Sequence, residues 1–447
     1  MKKKILTLLI CTVLYPVIVI GCSGSGSKVA SDIKKDKKIT LKFYSHGTEA
    51  SYNWKNTINA FEKKYPNIDV DLVVLSEKGD TQEATKKLDL AAASGEQMDV
   101  LMFSEAASYA QRVSMGIVAP LDEFINKEGY KESEEYKVDT QIDGNYYALP
   151  GKFNPWYVLL NKDHLVAAGL KVPNDWTWDK FMEYAKALTR DGHYGTYFHG
   201  PQNGSWMEYM RLAQASEAEN TEFTTEDGQA NLDNPLFRKT LEIRLKMEKK
   251  DKSAVPYADI LSKKLHYRNQ FFNQDVSSIL IGSWMNAELG GTEQNSLNFH
   301  VVVAPYPKNN KADKGGYTPV TTDYMAVAAN SQHKKEAYTF IRWYTTEGQI
   351  VQGKNLPSWN KVSNRDFTNI IEKILSGTKN PEKVDKESLI NVLKNAKSSK
   401  IISPVSNQSE IYNVINEEYE KLIFGQQNID KTIKVSQERV KEILNNK

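Results

Sequence analysis

Many side chains in this 447-residue chain could do chemistry, but few stand at the spacing a reaction requires. The seven histidines, at 46, 164, 193, 199, 266, 300 and 333, show no HxxxH or other zinc-ligand pattern, and no calcium-loop pattern occurs. His193 and His199 flank a strand-like GTYF stretch and read as surface residues. Gly348 to Lys354 has the glycine and lysine spacing of a phosphate-binding loop. However, Asn355 stands where a Ser or Thr hydroxyl must ligate magnesium, and the segment follows a helical pattern rather than a strand. With 56 Asp and Glu, some carboxylates must meet in space, so glycoside hydrolysis by two acids across the scissile bond is the alternative enzyme class. Eight Trp and 23 Tyr are a high aromatic load, flat apolar faces with polar edges that suit a binding surface. No catalytic set, metal site or cofactor is implied.

The N-terminus restricts the setting. Lys2, Lys3 and Lys4 precede an apolar run from Ile5 to Ile20, broken by Thr7, Thr12 and Pro16. That run is too short and interrupted for a membrane span of ~20 apolar residues, and reads as a secretory signal over residues 1–21. Its end, Val19-Ile20-Gly21-Cys22, resembles the lipobox of bacterial lipoproteins, in which the cysteine thiol carries diacylglycerol. Cys11 falls within the removed segment, so Cys22 is the only mature cysteine and no disulfide is expected. Loss of the signal removes three lysines and no acid from 58 basic and 56 acidic residues, leaving 55 against 56 and a net charge of −1. No nucleic-acid partner fits that balance. Residues 22–38, rich in Gly and Ser and then in Lys, have the composition of a flexible tether.

The body of the chain alternates strand-like and helix-like segments. Ile39, Leu41 and Phe43 alternate with polar residues; Trp54, Ile58, Phe61 and Tyr65 share a helical face that Pro66 ends; Val70 to Leu75 is a strand. Asp80-Thr81-Gln82-Glu83 is a capping box for a helix ending at Ser94-Gly95, and Val100 to Phe103 is a third strand. This βαβαβ rhythm predicts a mostly parallel sheet covered by helices on both faces. Further strands are expected near 156–160, 277–281, 299–304 and 324–329, and the chain after Pro357 is largely helical.

Several blocks, in order, resemble the family 1 extracellular solute-binding proteins of carbohydrate ABC transporters. They are Phe61-Glu62-Lys63-Lys64-Tyr65-Pro66-Asn67-Ile68; Ala93-Ser94-Gly95 with Asp99-Val100; Gly116-Ile117-Val118-Ala119-Pro120-Leu121; and Asp143-Gly144-Asn145-Tyr146-Tyr147-Ala148-Leu149-Pro150. These are followed by Asn161-Lys162-Asp163, Trp176-Thr177-Trp178, Ile281-Gly282-Ser283-Trp284 and Phe424-Gly425-Gln426. The family usually has proline at the position of Met98. The resemblance implies an α/β fold of the two-lobed, periplasmic-binding-protein-like kind (type II) with three hinge crossings, here near Pro150–Asn154, Pro319–Tyr324 and Leu356–Trp359. Lobe one would comprise 39–152 plus 321–356, and lobe two 153–320 plus 357–447. It also implies a monomeric, lipid-anchored receptor at the extracellular face of the membrane, an oligosaccharide ligand and the permease subunits of an ABC importer as partners.

A sugar ring presents apolar C–H faces and many hydroxyls, so its site needs aromatic plates and bidentate polar groups. Trp284 is the first expectation, because the family places an aromatic after this glycine to stack on a sugar. Trp206, Trp156 and Trp359 are further candidate platforms, with Asn154 beside Trp156 at the first crossing. On lobe one, Ser45 and His46 end the first strand and Ser104 and Glu105 follow the third, positions beyond carboxyl strand ends where open α/β sheets bind ligands. Asp323 and Tyr324 begin the strand after the second crossing. Trp54, Trp176, Trp178 and Trp343 are assigned to packing. Lys152 and Arg211 are the cations nearest the cleft, and solvation at the surface is expected for both.

Overall fold

Eleven strands carry the architecture in a computed structural model: β1 (Ile39–Ser45), β2 (Ile68–Val74), β3 (Val100–Phe103), β4 (Gln141–Ile142), β5 (Asn145–Tyr146), β6 (Ala148–Pro150), β7 (Asn154–Asn161), β8 (Ser278–Gly282), β9 (Val301–Ala304), β10 (Val320–Thr321) and β11 (Tyr324–Val327). The described residues are 38–190, 192–199, 207–217, 222–225, 227–397, 405 and 407–445, without the side chains of 207–210.

The first sheet has the order β2-β1-β3-β11-β6. β1 runs parallel to β2 and β3, whereas β11 is antiparallel to both β3 and β6. The parallel part is what the βαβαβ pattern predicts, and the antiparallel part comes from chain that leaves this sheet and returns. Leu41 and Phe43 enter one core with Trp54, Ile58 and Phe61, while Tyr44 enters the core on the opposite face with Leu101 and Phe103. That alternation is the period-2 geometry of a strand covered on both sides. Asp80 caps the helix Thr81–Ala93 by accepting from the Glu83 backbone N–H at 2.8 Å, as the capping box predicts.

The second sheet is antiparallel among its named strands and centred on β7, which pairs with β8, β9 and β10. A mostly parallel sheet is therefore correct only for β1–β3. β7 is buried over its whole length. Tyr157 and Leu159 point into one core, and Trp156, Val158 and Leu160 into another. Leu159 and Val158 are fully buried, so each contributes roughly 1.5–3 kcal/mol through removal of apolar surface from water. The GTYF stretch extends this sheet through single bridges, Thr196 with Ala254 and Tyr197 with Ile279.

The chain leaves the first sheet at Pro150 and enters the second at Asn154. It returns between Thr321 and Tyr324, and departs again around Leu356, whose carbonyl accepts from the Phe153 N–H at 2.8 Å. A further helical core joins Pro235–Leu245, Gln408–Ile423 and Ile429–Asn445 through residues such as Phe237, Leu241, Ile411, Ile415 and Val440. The helix Gln408–Ile423 also packs against Ala106–Ser114, the helix that follows β3. Trp54, Trp176, Trp178 and Trp343 are all buried, in keeping with their assignment to packing. No described helix is long and apolar enough to cross a membrane.

Candidate functional site

The carboxyl end of β1 and the first two passages between sheets converge on one buried polar cluster. Lys152 Nζ donates to Tyr52 Oη at 2.6 Å, and the Tyr52 hydroxyl donates to Asp323 Oδ2 at 2.8 Å. Lys152 Nζ lies 3.0 Å from the same carboxylate oxygen, and His46 Nε2 lies 3.2 Å from Tyr52 Oη and 3.7 Å from Asp323 Oδ1. Burial lowers His46 to about 4; Asp323 opposes that shift and the Lys152 cation adds to it, so the imidazole is neutral at physiological pH. Gly151 lets the strands approach, since a Cβ there would lie 3.2 Å from Met325 and 3.4 Å from Asp323. Ser45, fully buried, accepts from the Gly47 N–H at 2.9 Å. Lys152 is thus a buried partner of Asp323, not the solvated cation expected, because its charge is matched by an acid far away in sequence.

At the end of β3, Glu105 occupies the N-cap position of Ala106–Ser114 without a side-chain capping bond, and Ser104 is half-buried beside it. Glu105 has its own surface open to solvent, yet protein encloses it closely enough that desolvation raises its carboxyl. Tyr324, at the start of β11, stacks on Tyr109 with centroids 4.5 Å apart and 15° between planes. Two residues nearby escaped the sequence reading. Burial pushes Glu222 up to about 8, opposed by a hydrogen bond from Gln214, and Tyr412 is raised by burial and by the neighbouring Glu222, Tyr324 and Glu105. Tyr412 stands next to Ile411 on a helix whose apolar period gives only its core face, which is why no sequence signal marked it.

The carboxyl end of β8 supports an aromatic wall. Trp284, half-buried, lies against Trp156 edge-on at 5.3 Å, and Trp156 meets His199 at 5.3 Å. His199 in turn lies 5.2 Å from Tyr267, whose hydroxyl accepts from Trp284 Nε1–H at 3.3 Å. The Trp284 ring folds back over Gly282: a Cβ there would fall 2.0 Å from its Cζ3, so the glycine is a steric requirement of the Gly-Ser-Trp turn. Asn154 Oδ1 accepts from Ser283 Oγ at 3.1 Å and ties β7 to that turn. His199 is buried, not at the surface; its Nε2–H donates to the Leu280 carbonyl at 3.2 Å, and burial with Arg211 nearby lowers it to about 3. Arg211 is also buried, 5.0 Å over Phe198 and 6.0 Å from Trp156, rather than solvated as expected. The apolar neighbours of both residues are distant in sequence, so composition alone placed them wrongly.

Trp359 lies apart from this wall. Its Nε1–H donates to Glu135 Oε1 at 2.9 Å, and Glu135 also takes Arg342 at 2.8 Å and Lys361 at 2.7 Å. Burial alone would raise Glu135, but hydrogen bonds from Lys361, Arg342 and Trp359 outweigh it and hold the carboxyl down to about 2. Trp206 and Cys22 lie outside the described residues. The structure therefore groups Trp284, Trp156 and Asn154 on one wall, His46 and Asp323 in the buried polar cluster, and Glu105 with Tyr324 near Tyr412. Among the described residues, no group of three or more His, Cys, Asp or Glu could hold a metal ion.

The model of bacterial extracellular solute-binding proteins matches residues 44–350. The chain is 24% identical over 357 residues to the multiple sugar-binding protein of Streptococcus mutans, spanning 74% of this chain and 76% of that protein. It is 24% identical over 327 residues to the mannitol-binding protein of Pseudomonas aeruginosa, covering 68% and 69% of the two chains. An ABC substrate-binding protein from Listeria monocytogenes, solved in complex with cycloalternan, superposes with a TM-score of 0.69 at 20% identity over 91% of this chain and 98% of that one. The chain thus has a two-lobed, periplasmic-binding-protein-like fold.

Proposed function

Since the chain belongs to the bacterial extracellular solute-binding protein family, we propose that it captures an oligosaccharide between its lobes and delivers it, unaltered, to an ABC importer. The observation that carries this reading is the Trp284 indole, held over Gly282 and fixed by the Tyr267 hydroxyl at the carboxyl end of β8. A flat apolar face immobilised in this way offers contact area to sugar C–H groups at low entropic cost, while Asn154, Glu105 and Tyr324 supply polar groups for hydroxyls. The names of the relatives from S. mutans and P. aeruginosa, which bind sugars and a polyol, point the same way.

In this reading lobe one is 39–152 plus 321–356 and lobe two is 153–320 plus 357–447. The lobes close by bending at the three crossings, and the importer senses the closed shape. The protein is a monomer tethered through a lipid on Cys22, with residues 22–38 as the spacer, and it does not hydrolyse its guest. A thermal-shift screen against oligosaccharides tests the ligand class; a true ligand at a hundredfold excess over its dissociation constant stabilises the fold by about 2.7 kcal/mol. Trp284→Ala should weaken that ligand at least tenfold, about 1.4 kcal/mol. An unchanged affinity removes Trp284 from the site. Cys22→Ala should release the protein into the medium, and full retention at the cell surface would overturn the anchor.

A further inference from the structure

A cavity of about 440 Å³ opens on lobe two, and its described lining residues fall between 156 and 396, outside the first sheet. Its volume lies within the ~300–1,000 Å³ of small-molecule sites. Three aromatic side chains form its apolar walls: Trp156 from β7, Trp176 and Tyr306. Trp156 lines the cavity with a small part of its ring, being 3% exposed, while its indole nitrogen is enclosed by protein. On the opposite side the helix Lys386–Asn395 contributes Asn391 and Asn395, whose amides are linked through Asn395 Nδ2 to Asn391 Oδ1 at 3.0 Å. That bond leaves Asn391 a donor and Asn395 an acceptor for a ligand. Among the described lining residues the charged ones are Lys308 and Asp175, which pair with each other at 2.7 Å.

Aromatic walls, amide donors and acceptors and, among the described lining residues, a charge pair closed on itself match a neutral, polyhydroxylated ring. We infer that this cavity is an accessory site for roughly one or two rings of a neutral saccharide, separate from the cleft. Trp156 stands between the two places, with one neighbour, Trp284, in the cleft wall and its own ring lining the cavity. The inference rests on the lining chemistry and does not require the cleft reading.

The test follows the indole N–H NMR signals of Trp176 and Trp156 in the full chain during titration with maltose, lactose and sucrose. Trp176 is the cleaner reporter, because its N–H is fixed to the Pro305 carbonyl at 2.7 Å and it lines the cavity without touching Trp284. Two variants fill the cavity. Gly315→Phe projects a ring from a position where a new Cβ meets only Lys308 Cδ at 3.9 Å, and Asn391→Trp enters from an exposed helix position. Expected is movement of the Trp176 signal with at least one of these sugars, in the wild type and equally in Trp284→Ala, with binding at least tenfold weaker in whichever filled variant folds. No Trp176 movement with any of the three sugars overturns the accessory site. So does movement that vanishes in Trp284→Ala, which would report the cleft, or movement that survives in the filled variants. The Trp284 signal is read in the same spectra and judges the cleft separately.

Discussion

The hinge cluster and the aromatic wall are both buried at carboxyl strand ends, but they end differently. In the hinge, Lys152, Tyr52 and Asp323 satisfy one another within 2.6–3.0 Å, and one oxygen, Asp323 Oδ1, is left without a hydrogen bond. In the wall, Trp156 Nε1 and His199 Nδ1 are buried without hydrogen-bond partners among the described residues. Polar groups that complete one another fix a geometry. Groups left incomplete beside a half-buried indole leave the geometry there less fixed. The contrast is in line with the proposal that the first region sets how the lobes are joined and the second what they hold.

Breaking the hinge should therefore cost stability most. Asp323→Ala leaves the Lys152 ammonium buried without its carboxylate, an expected loss of ~3–5 kcal/mol in denaturant unfolding. A loss below about 1 kcal/mol would mean that the pair is solvated and that the two regions do not differ as described. Gly282→Ala attacks the wall instead. The new methyl must displace the Trp284 ring, so sugar affinity should fall as it does in Trp284→Ala, about tenfold or more, and intact affinity would show that the ring orientation is not used.

A smaller effect concerns pH. Glu222 has a folded-state carboxyl at about 8, raised by burial, so between the unfolded value near 4.3 and that point the folded protein keeps a proton that the unfolded chain has released. Stability contributed by this group is complete at low pH and falls as pH rises through that window. Denaturation midpoints measured at about pH 5 and about pH 8 should differ less in Glu222→Gln than in the wild type. Glu135 has the opposite sign: its carboxyl is held down to about 2, so its contribution is present above the unfolded value and is lost as pH falls toward that point. Glu135→Gln should flatten the acid limb alone.

Local pattern made much of the fold legible. The apolar run of β7, the alternation of Leu41, Phe43 and Tyr44 and the Asp80 cap are each dictated by neighbours within a few residues. The antiparallel return of β11 was not legible as such, because strand direction depends on where distant chain re-enters a sheet. The candidate site divides the same way. Trp284 is marked by a short motif and by the glycine beneath it, whereas Lys152, Arg211 and His199 were read as surface residues because charge and polarity usually lie outside. Their burial follows from partners that only the folded chain brings close: Asp323 for Lys152, the Phe198 and Trp156 rings for Arg211, and the Leu280 carbonyl for His199. Glu222 and Tyr412 gave no signal for the same reason.

The measurement that bears most directly on the central claim is calorimetric titration of the protein with a panel of oligosaccharides, followed by mass analysis of the sugar recovered from the complex. The expected result is saturable binding of at least one oligosaccharide, weakened in Trp284→Ala, and a recovered sugar of unchanged mass. Absence of binding across the panel, or a bound sugar recovered as shorter fragments, would contradict it.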